Sequence, residues 1–180
     1  TNCLAPLADV LHTAVGIESG IVTTVHAYTG DQFTLDRRHK DLYRARAAGM
    51  SMIPTSTGAA KAIGLVIPDL KGKLDGSAIR VPTPNVSCVD MTFQSTQDTT
   101  VEEINRAVLE ASKTGMTGIL GYEPAPLVSV DFNHTSESSI FAPDQTRVVG
   151  GKLVRVLAWY DNEWAFSVRM ADVAEAMAKY

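Results

Sequence analysis

Apolar residues recur at helical spacing near the start of the chain. Leu4, Leu7, Leu11 and Val15 share one face, which predicts a helix closed by Gly16. Thr1 and Asn2 are N-cap types, and Pro6 falls within the first turn. The pattern then turns extended. β-Branched and aromatic residues predict a strand over 21–29 that carries His26 and ends at Gly30-Asp31. Residues 30–51 keep no period and read as a long irregular segment. A short helix is expected after Thr57-Gly58, running to about Ile67 and stopped by Pro68.

Lys71–Gly76 reads as a turn region, and 78–82 as a strand that Pro82 and Pro84 interrupt. Val86–Phe93 alternates, with Val86, Cys88, Asp90 and Thr92 on one face and Val89, Met91 and Phe93 on the other. Thr100-Val101-Glu102-Glu103 is a capping box for a helix that turns Ile104, Val108 and Ala111 inward and ends near Lys113 and Gly115. Short strands are expected at 119–122, 127–132 and 139–141, with a loop at Asn133-His134. Arg147–Tyr160 reads as a hairpin about Gly150-Gly151. Asp161-Asn162 caps a last helix bearing Phe166, Met170, Val173 and Met177, with Trp164 and Val168 off that stripe. About four helices among seven or eight strands, the later ones in meanders, predict an α+β fold. Its sheet is mainly antiparallel or mixed, with helices packed on one face.

Composition narrows the function classes. In 180 residues, 45% are hydrophobic and 20% charged, and the net charge of −4 gives no basic footprint for nucleic acid or a membrane surface. No apolar run approaches the roughly 18–20 residues of a membrane span. Cys3 and Cys88 are too few for a disulfide framework and fit a cytoplasmic protein. No metal-ligand pattern stands out. The opening Thr1-Asn2-Cys3, without methionine, looks like a piece of something longer.

Three places carry candidate chemistry. His26, at a strand end, can reach a cleft as an acid or base, or serve only packing. The 30–51 segment holds Arg37, Arg38, Lys40, Arg44 and Arg46 against Asp31, Asp36 and Asp41. It is either a solvated charged loop or one that binds anions or a second subunit. Thr57-Gly58 offers backbone N–H groups at a helix start, either as an anion site or as an ordinary cap. Cys3 near a helix N-terminus is open to two readings, a dipole-favoured thiolate or a small buried hydrophobe. His12 reads as a surface or packing residue.

Several runs together identify a resemblance: Thr1-Asn2-Cys3-Leu4-Ala5-Pro6-Leu7, Val25-His26-Ala27-Tyr28-Thr29, Thr57-Gly58-Ala59-Ala60-Lys61-Ala62, Arg80-Val81-Pro82-Thr83-Pro84-Asn85-Val86-Ser87 and Trp159-Tyr160-Asp161-Asn162-Glu163-Trp164. The chain resembles, over its whole length, the catalytic C-terminal half of bacterial phosphorylating, NAD-dependent glyceraldehyde-3-phosphate dehydrogenases. The resemblance implies a glycolytic oxidoreductase in which a cysteine thiolate attacks the aldehyde, NAD takes hydride and inorganic phosphate releases an acyl phosphate. It assigns thiol activation to His26 and the substrate phosphate to Thr29 and Arg80. Inorganic phosphate falls to Thr57 and Gly58, with Arg44 reaching the same region. Asn162 would hold the nicotinamide carboxamide, and Tyr160 would pack near the ring.

The same resemblance places the nucleophile four residues before Cys3, outside the chain, so Cys3 is expected to be non-nucleophilic and the chain inactive alone. Residues 1–161 are then the catalytic domain, and 162–180 a helix expected to pack on an N-terminal Rossmann domain. A homotetramer is implied, with the 30–51 loop approaching a neighbouring subunit's cofactor. Phe33 and Asp36-Arg37-Arg38 depart from the usual loop pattern. Erythrose-4-phosphate dehydrogenase is the near alternative within the family, disfavoured by Thr57-Gly58-Ala59-Ala60-Lys61. A non-catalytic phosphate-binding or oligomerisation module is the alternative outside it.

Overall fold

The computed structural model describes residues 1–179. Helix α1 (Leu4–Val15) forms where the period placed it, and Leu4, Leu7 and Leu11 are wholly buried. Neither Thr1 nor Asn2 caps it by a side chain. Cys3 occupies the cap position without capping by its side chain, its thiol donating to Ser139 Oγ at 3.4 Å, and Gly16 closes the helix at φ 68°. His12 packs locally, its Nδ1 accepting the Ile17 N–H at 2.9 Å.

Eight strands form one mixed sheet: β1 (Ile17–Ala27), β2 (Ile53–Ser56), β3 (Leu74–Val81), β4 (Ser87–Ser95), β5 (Leu120–Tyr122), β6 (Ser139–Phe141), β7 (Arg147–Val149) and β8 (Leu153–Tyr160). Their order is β2-β3-β1-β4-β8-β6-β5, with β7 paired to β8. The β1–β3 and β5–β6 pairs are parallel and the others antiparallel. The α+β expectation holds. Helices α1, α2 (Ala59–Val66) and α3 (Val101–Lys113) cover one face, closing over Val22, Met91, Phe93, Val154 and Val156. The α3 capping box closes in both directions: Thr100 Oγ1 accepts the Glu103 N–H at 3.2 Å, and Glu103 Oε2 accepts the Thr100 N–H at 3.0 Å. The other sheet face carries a smaller cluster of Cys88, Ala142 and Leu157.

Helix α4 (Trp164–Met177) behaves differently. Only Ala165 is buried along it, while Phe166, Met170, Val173 and Met177 are all exposed.

Some boundaries move. Strand β1 starts at Ile17 and stops at Ala27, two residues short of the expected end. Strand β3 starts at Leu74, inside the expected turn, because Gly76 lets the backbones meet there. A Cβ on Gly76 would lie 2.4 Å from the Val22 carbonyl oxygen. The expected strand at 127–132 is instead a 3-10 turn at Ser129–Phe132. Asp131 takes the Val128 N–H at 2.8 Å, and this local bond competes with ladder pairing. The Arg147–Tyr160 hairpin forms as expected, with Gly150 at φ 59° and Gly151 at φ 75°.

Truncating Leu7, which has no exposed surface, to Ala is expected to cost about 2–5 kcal/mol in denaturant unfolding. Leu65→Ala, at a side chain 84% exposed, should change stability by less than about 0.5 kcal/mol. Similar losses at both positions would contradict the assigned helix faces.

Candidate functional site

Strand register gathers the candidate residues at one edge of the sheet. In the parallel β1–β3 pair, His26 lies opposite Arg80. Strand β4 begins at that edge with Ser87, and antiparallel β8 ends there with Tyr160 opposite Ser87. Asn162 follows two residues later. The His26 and Tyr160 rings meet edge to face, centroids 6.0 Å apart.

His26 is half-buried, and its Nδ1 lies 2.6 Å from the Ala27 carbonyl oxygen and 2.7 Å from an Arg80 Nη1. The same Arg80 nitrogen donates to that carbonyl at 3.0 Å. A guanidinium only donates and a carbonyl only accepts, so the tautomer selects the partner. With the proton on Nδ1, His26 donates to Ala27 and leaves Nε2 as a base. With the proton on Nε2, Nδ1 accepts from Arg80. Burial lowers the imidazole pKa below its ordinary value, the Ala27 bond opposes this, and the Arg80 charge adds to the lowering. Burial and the Arg80 charge both favour the uncharged ring.

Arg80 is itself anion-seeking. Among the described residues no acceptor lies within hydrogen-bonding distance of its buried Nε. Burial lowers its pKa first, with Arg44 adding to that and Tyr160 and Asp31 opposing it.

Arg44 pairs with Asp31 and approaches Asp41 at 3.4 Å, and it donates to Thr55 Oγ1 at 2.7 Å. The 30–51 loop thus neutralises part of its own charge. Asp36 likewise pairs with Arg46 at 3.3 Å and accepts the Ala47 N–H at 2.8 Å. Phe33, the unusual loop residue, takes the Arg37 guanidinium over its ring at 4.4 Å. Thr29 is tied to Gln32, whose Oε1 accepts from the Thr29 N–H at 3.0 Å and from its hydroxyl at 3.2 Å.

Thr57 and Gly58 stand apart from this edge. Strand β2 starts opposite Arg80 and runs away from it, so its end at Ser56 lies opposite Ser77. Thr57 Oγ1 accepts the Ala59 N–H at 3.2 Å as a cap, and a Cβ on Gly58 would meet nothing within 4 Å. The structure brings together His26, Arg80, Tyr160 and Asn162, with Arg44 beside them. It does not join Thr57 to them by a hydrogen bond among the described residues.

The family profile for the glyceraldehyde 3-phosphate dehydrogenase C-terminal domain matches residues 1–162. The chain belongs to this family. It is 63% identical over 179 residues to a glyceraldehyde-3-phosphate dehydrogenase of Cereibacter sphaeroides, covering 99% of the chain and 54% of that relative. Identity is 65% over 179 residues to the enzyme of that name in Xanthobacter flavus, 99% of the chain and 53% of the relative. A Pseudomonas aeruginosa relative of the same name is 60% identical over 178 residues, 99% of the chain and 52% of the relative. The chain spans about half the length of the curated relatives it matches.

Within this dehydrogenase domain, the cysteines answer the question left open above. Cys3 is 2% exposed, and its thiol is pushed up to about 12, chiefly by burial. Cys88, on the far sheet face, is pushed up to about 11 by burial and then by Asp90. Desolvation outweighs the helix dipole at Cys3, so the dipole-favoured thiolate is not found.

Sequence reasoning gave no role to Asn85, Ser87 or Gln32, and read Asp161 only as a cap of the last helix, which it is. Asp161 is 1% exposed and accepts the N–H groups of His134, Glu163 and Trp164 at 2.8, 2.9 and 2.8 Å, plus Asn85 Nδ2 at 2.8 Å. Burial would raise its pKa, but these donors together hold it below the ordinary carboxylate value. A polar residue beside a strand end and ahead of an apolar helix was the available signal.

Two measurements check this electrostatic description. His26 followed by NMR should titrate with a midpoint below 6.5, and a midpoint at or above 6.5 would contradict its burial against Arg80. Asp161 titrates lower folded than unfolded. Its stabilisation is therefore complete above about 3.8 and is lost as pH falls through the folded value. Asp161→Asn should lower Tm at pH 7, and the deficit should shrink toward pH 3.

Proposed function

We propose that this chain supplies the catalytic domain of an NAD-dependent, phosphorylating glyceraldehyde-3-phosphate dehydrogenase. The observation that carries the proposal is the buried Arg80 Nε, without an acceptor among the described residues, beside an imidazole whose pKa burial lowers. Together they form a place for an anionic substrate next to a proton acceptor.

In this reading, Arg80 and Thr29 hold the phosphate of the aldehyde. The Thr29 hydroxyl turns from Gln32 toward it. Arg44 exchanges Asp31 for phosphate oxygens, and Thr57 with Gly58 receives inorganic phosphate at the start of α2. His26 takes a thiol proton at Nε2 while Nδ1–H holds the Ala27 carbonyl, and the imidazolium then faces a thiolate. Neither Cys3 nor Cys88 is read as that thiol, a reading supported by the burial that pushes them up to about 12 and about 11. The nucleophile is read as lying outside these residues, and the chain alone as inactive. The thiolate sulfur bonds the aldehyde carbon as the carbonyl π pair moves onto oxygen, that pair re-forms the C=O as a hydride leaves the carbon, and a phosphate oxygen then adds and expels the sulfur as thiolate.

Residues of the chain fit the nicotinamide end of NAD. The Asn162 amide and the Tyr160 ring sit at the same edge as His26. NAD, when bound, accepts the hydride. The exposed apolar residues of α4 are assigned to packing against the dinucleotide-binding domain. A homotetramer in the cytoplasm and a glycolytic role complete the proposal.

The test joins this chain to a dinucleotide-binding domain that ends in the cysteine-bearing segment read as preceding Thr1, and follows phosphate-dependent NADH formation. Glyceraldehyde 3-phosphate should turn over faster than erythrose 4-phosphate. His26→Asn should lower kcat by about 10²–10⁴. Arg80→Gln should raise KM for the aldehyde by about tenfold or more, the scale of a lost charged hydrogen bond. Full activity in His26→Asn, or no phosphate-dependent turnover in the unsubstituted protein, would overturn the proposal.

A further inference from the structure

Ser87 is a buried hydroxyl, 2% exposed, in the first position of β4. Its oxygen accepts the Ala27 N–H at 3.0 Å, one residue beyond His26. Its proton goes to Asn162 Oδ1 at 2.9 Å. Both bonds are directional for chemical reasons. A backbone N–H only donates, so it must meet the serine oxygen. The single hydroxyl proton is then left for an acceptor: Asn162 Oδ1 takes it at 2.9 Å, and the Tyr160 hydroxyl also lies close to Ser87. Turning the Asn162 amide over would put its NH2 against the hydroxyl, lose the 2.9 Å bond and leave the buried O–H to the Tyr160 oxygen instead.

From this geometry we infer that Ser87 is a positioning residue: its hydroxyl locks the Asn162 amide with oxygen inward and NH2 outward, toward the edge that holds His26 and Tyr160. Asn162 then presents donors and no acceptor. Among the described residues, Nδ2 has one contact, a long one to Glu163 Oε1 at 3.5 Å. A site so built prefers a ligand group that offers a carbonyl oxygen there and disfavours one that offers only N–H. The carbonyl of a carboxamide on an aromatic ring has this chemistry, and this half of the inference rests on the cofactor reading above. The Ser87 hydroxyl also ties the strand end that carries His26 to the residue that orients the ligand. Its loss therefore loosens ligand orientation without removing any group that contacts the ligand.

The test has two arms. In the unsubstituted chain, atomic-resolution diffraction distinguishes the C–O from the C–N bond of the Asn162 amide. Oxygen toward Ser87 is expected, and nitrogen toward Ser87 overturns the proposal whatever the function. In the chain joined to a dinucleotide-binding domain, NAD affinity is measured by calorimetry in Ser87→Ala, Asn162→Ala and the double variant, with Ser87→Thr retaining the hydroxyl. Ser87→Ala should weaken binding by about 3- to 10-fold. It should leave KM for the aldehyde unchanged and add nothing in the Asn162→Ala background. Ser87→Thr should recover most of the loss. Losses that multiply in the double variant overturn a role through Asn162. If Asn162→Ala binds NAD as tightly as the unsubstituted protein, the cofactor reading fails, and the diffraction arm alone decides the role of Ser87. Should Ser87→Ala not fold, the Thr variant and the diffraction arm still settle the matter.

Discussion

The parallel pairing of β1 with β3 is the constraint on which the candidate site depends. It sets His26 opposite Arg80, and no local feature of either segment could do so. The pairing is tight at Gly76, where any side chain would strike the Val22 carbonyl, so the register is held by backbone contact as well as by hydrogen bonds. Strands β4 and β8 then extend the sheet antiparallel from β1, which returns Ser87 and Tyr160 to the same edge. Packing serves this arrangement from behind: α1, α2 and α3 clamp the opposite side chains of β1, β4 and β8 into one core.

At that edge the polar groups are of two kinds. Those that hold the fold are mostly paired, although Asn85 Oδ1 has no partner among the described residues. Asp161 collects four donors and fixes the junction between β8 and α4. Those aimed into the site are left partly unpaired or are paired with exchangeable partners. Arg80 Nε has no acceptor among the described residues, Arg44 rests on Asp31, and the Thr29 hydroxyl rests on Gln32. A buried donor without an acceptor costs stability, and such a cost is understandable where a ligand supplies the acceptor.

Much of the fold was legible because its signals are local. The α1 stripe, the Thr100–Glu103 capping box, the alternation of β4 and the Gly150-Gly151 hairpin each need only a few neighbouring residues. The misread places are those where a distant or competing contact decides. Leu74–Ser77 became strand through its pairing with β1, and Ser129–Phe132 became a turn through the Asp131 cap. His26, Arg80, Tyr160 and Asn162 were legible as family motifs, yet their meeting at one edge is a property of strand order. Ser87 lay inside those motifs without a role and Asp161 only as a helix cap, because a hydroxyl or carboxylate reveals its full set of partners only when they are in place. Cys3 was open to two readings from its helix-terminal position, and its burial selects the small buried hydrophobe over the thiolate.

The central claim is that the sheet edge beside His26 receives an anion through Arg80. The most direct measurement is a titration of the chain with inorganic phosphate, followed through the arginine Nε–H resonances. Arg80 and Arg44 should shift together and saturate at a common concentration, with Arg37 and Arg38 little affected. Shifts confined to Arg37 and Arg38, with Arg80 unmoved, would contradict the account.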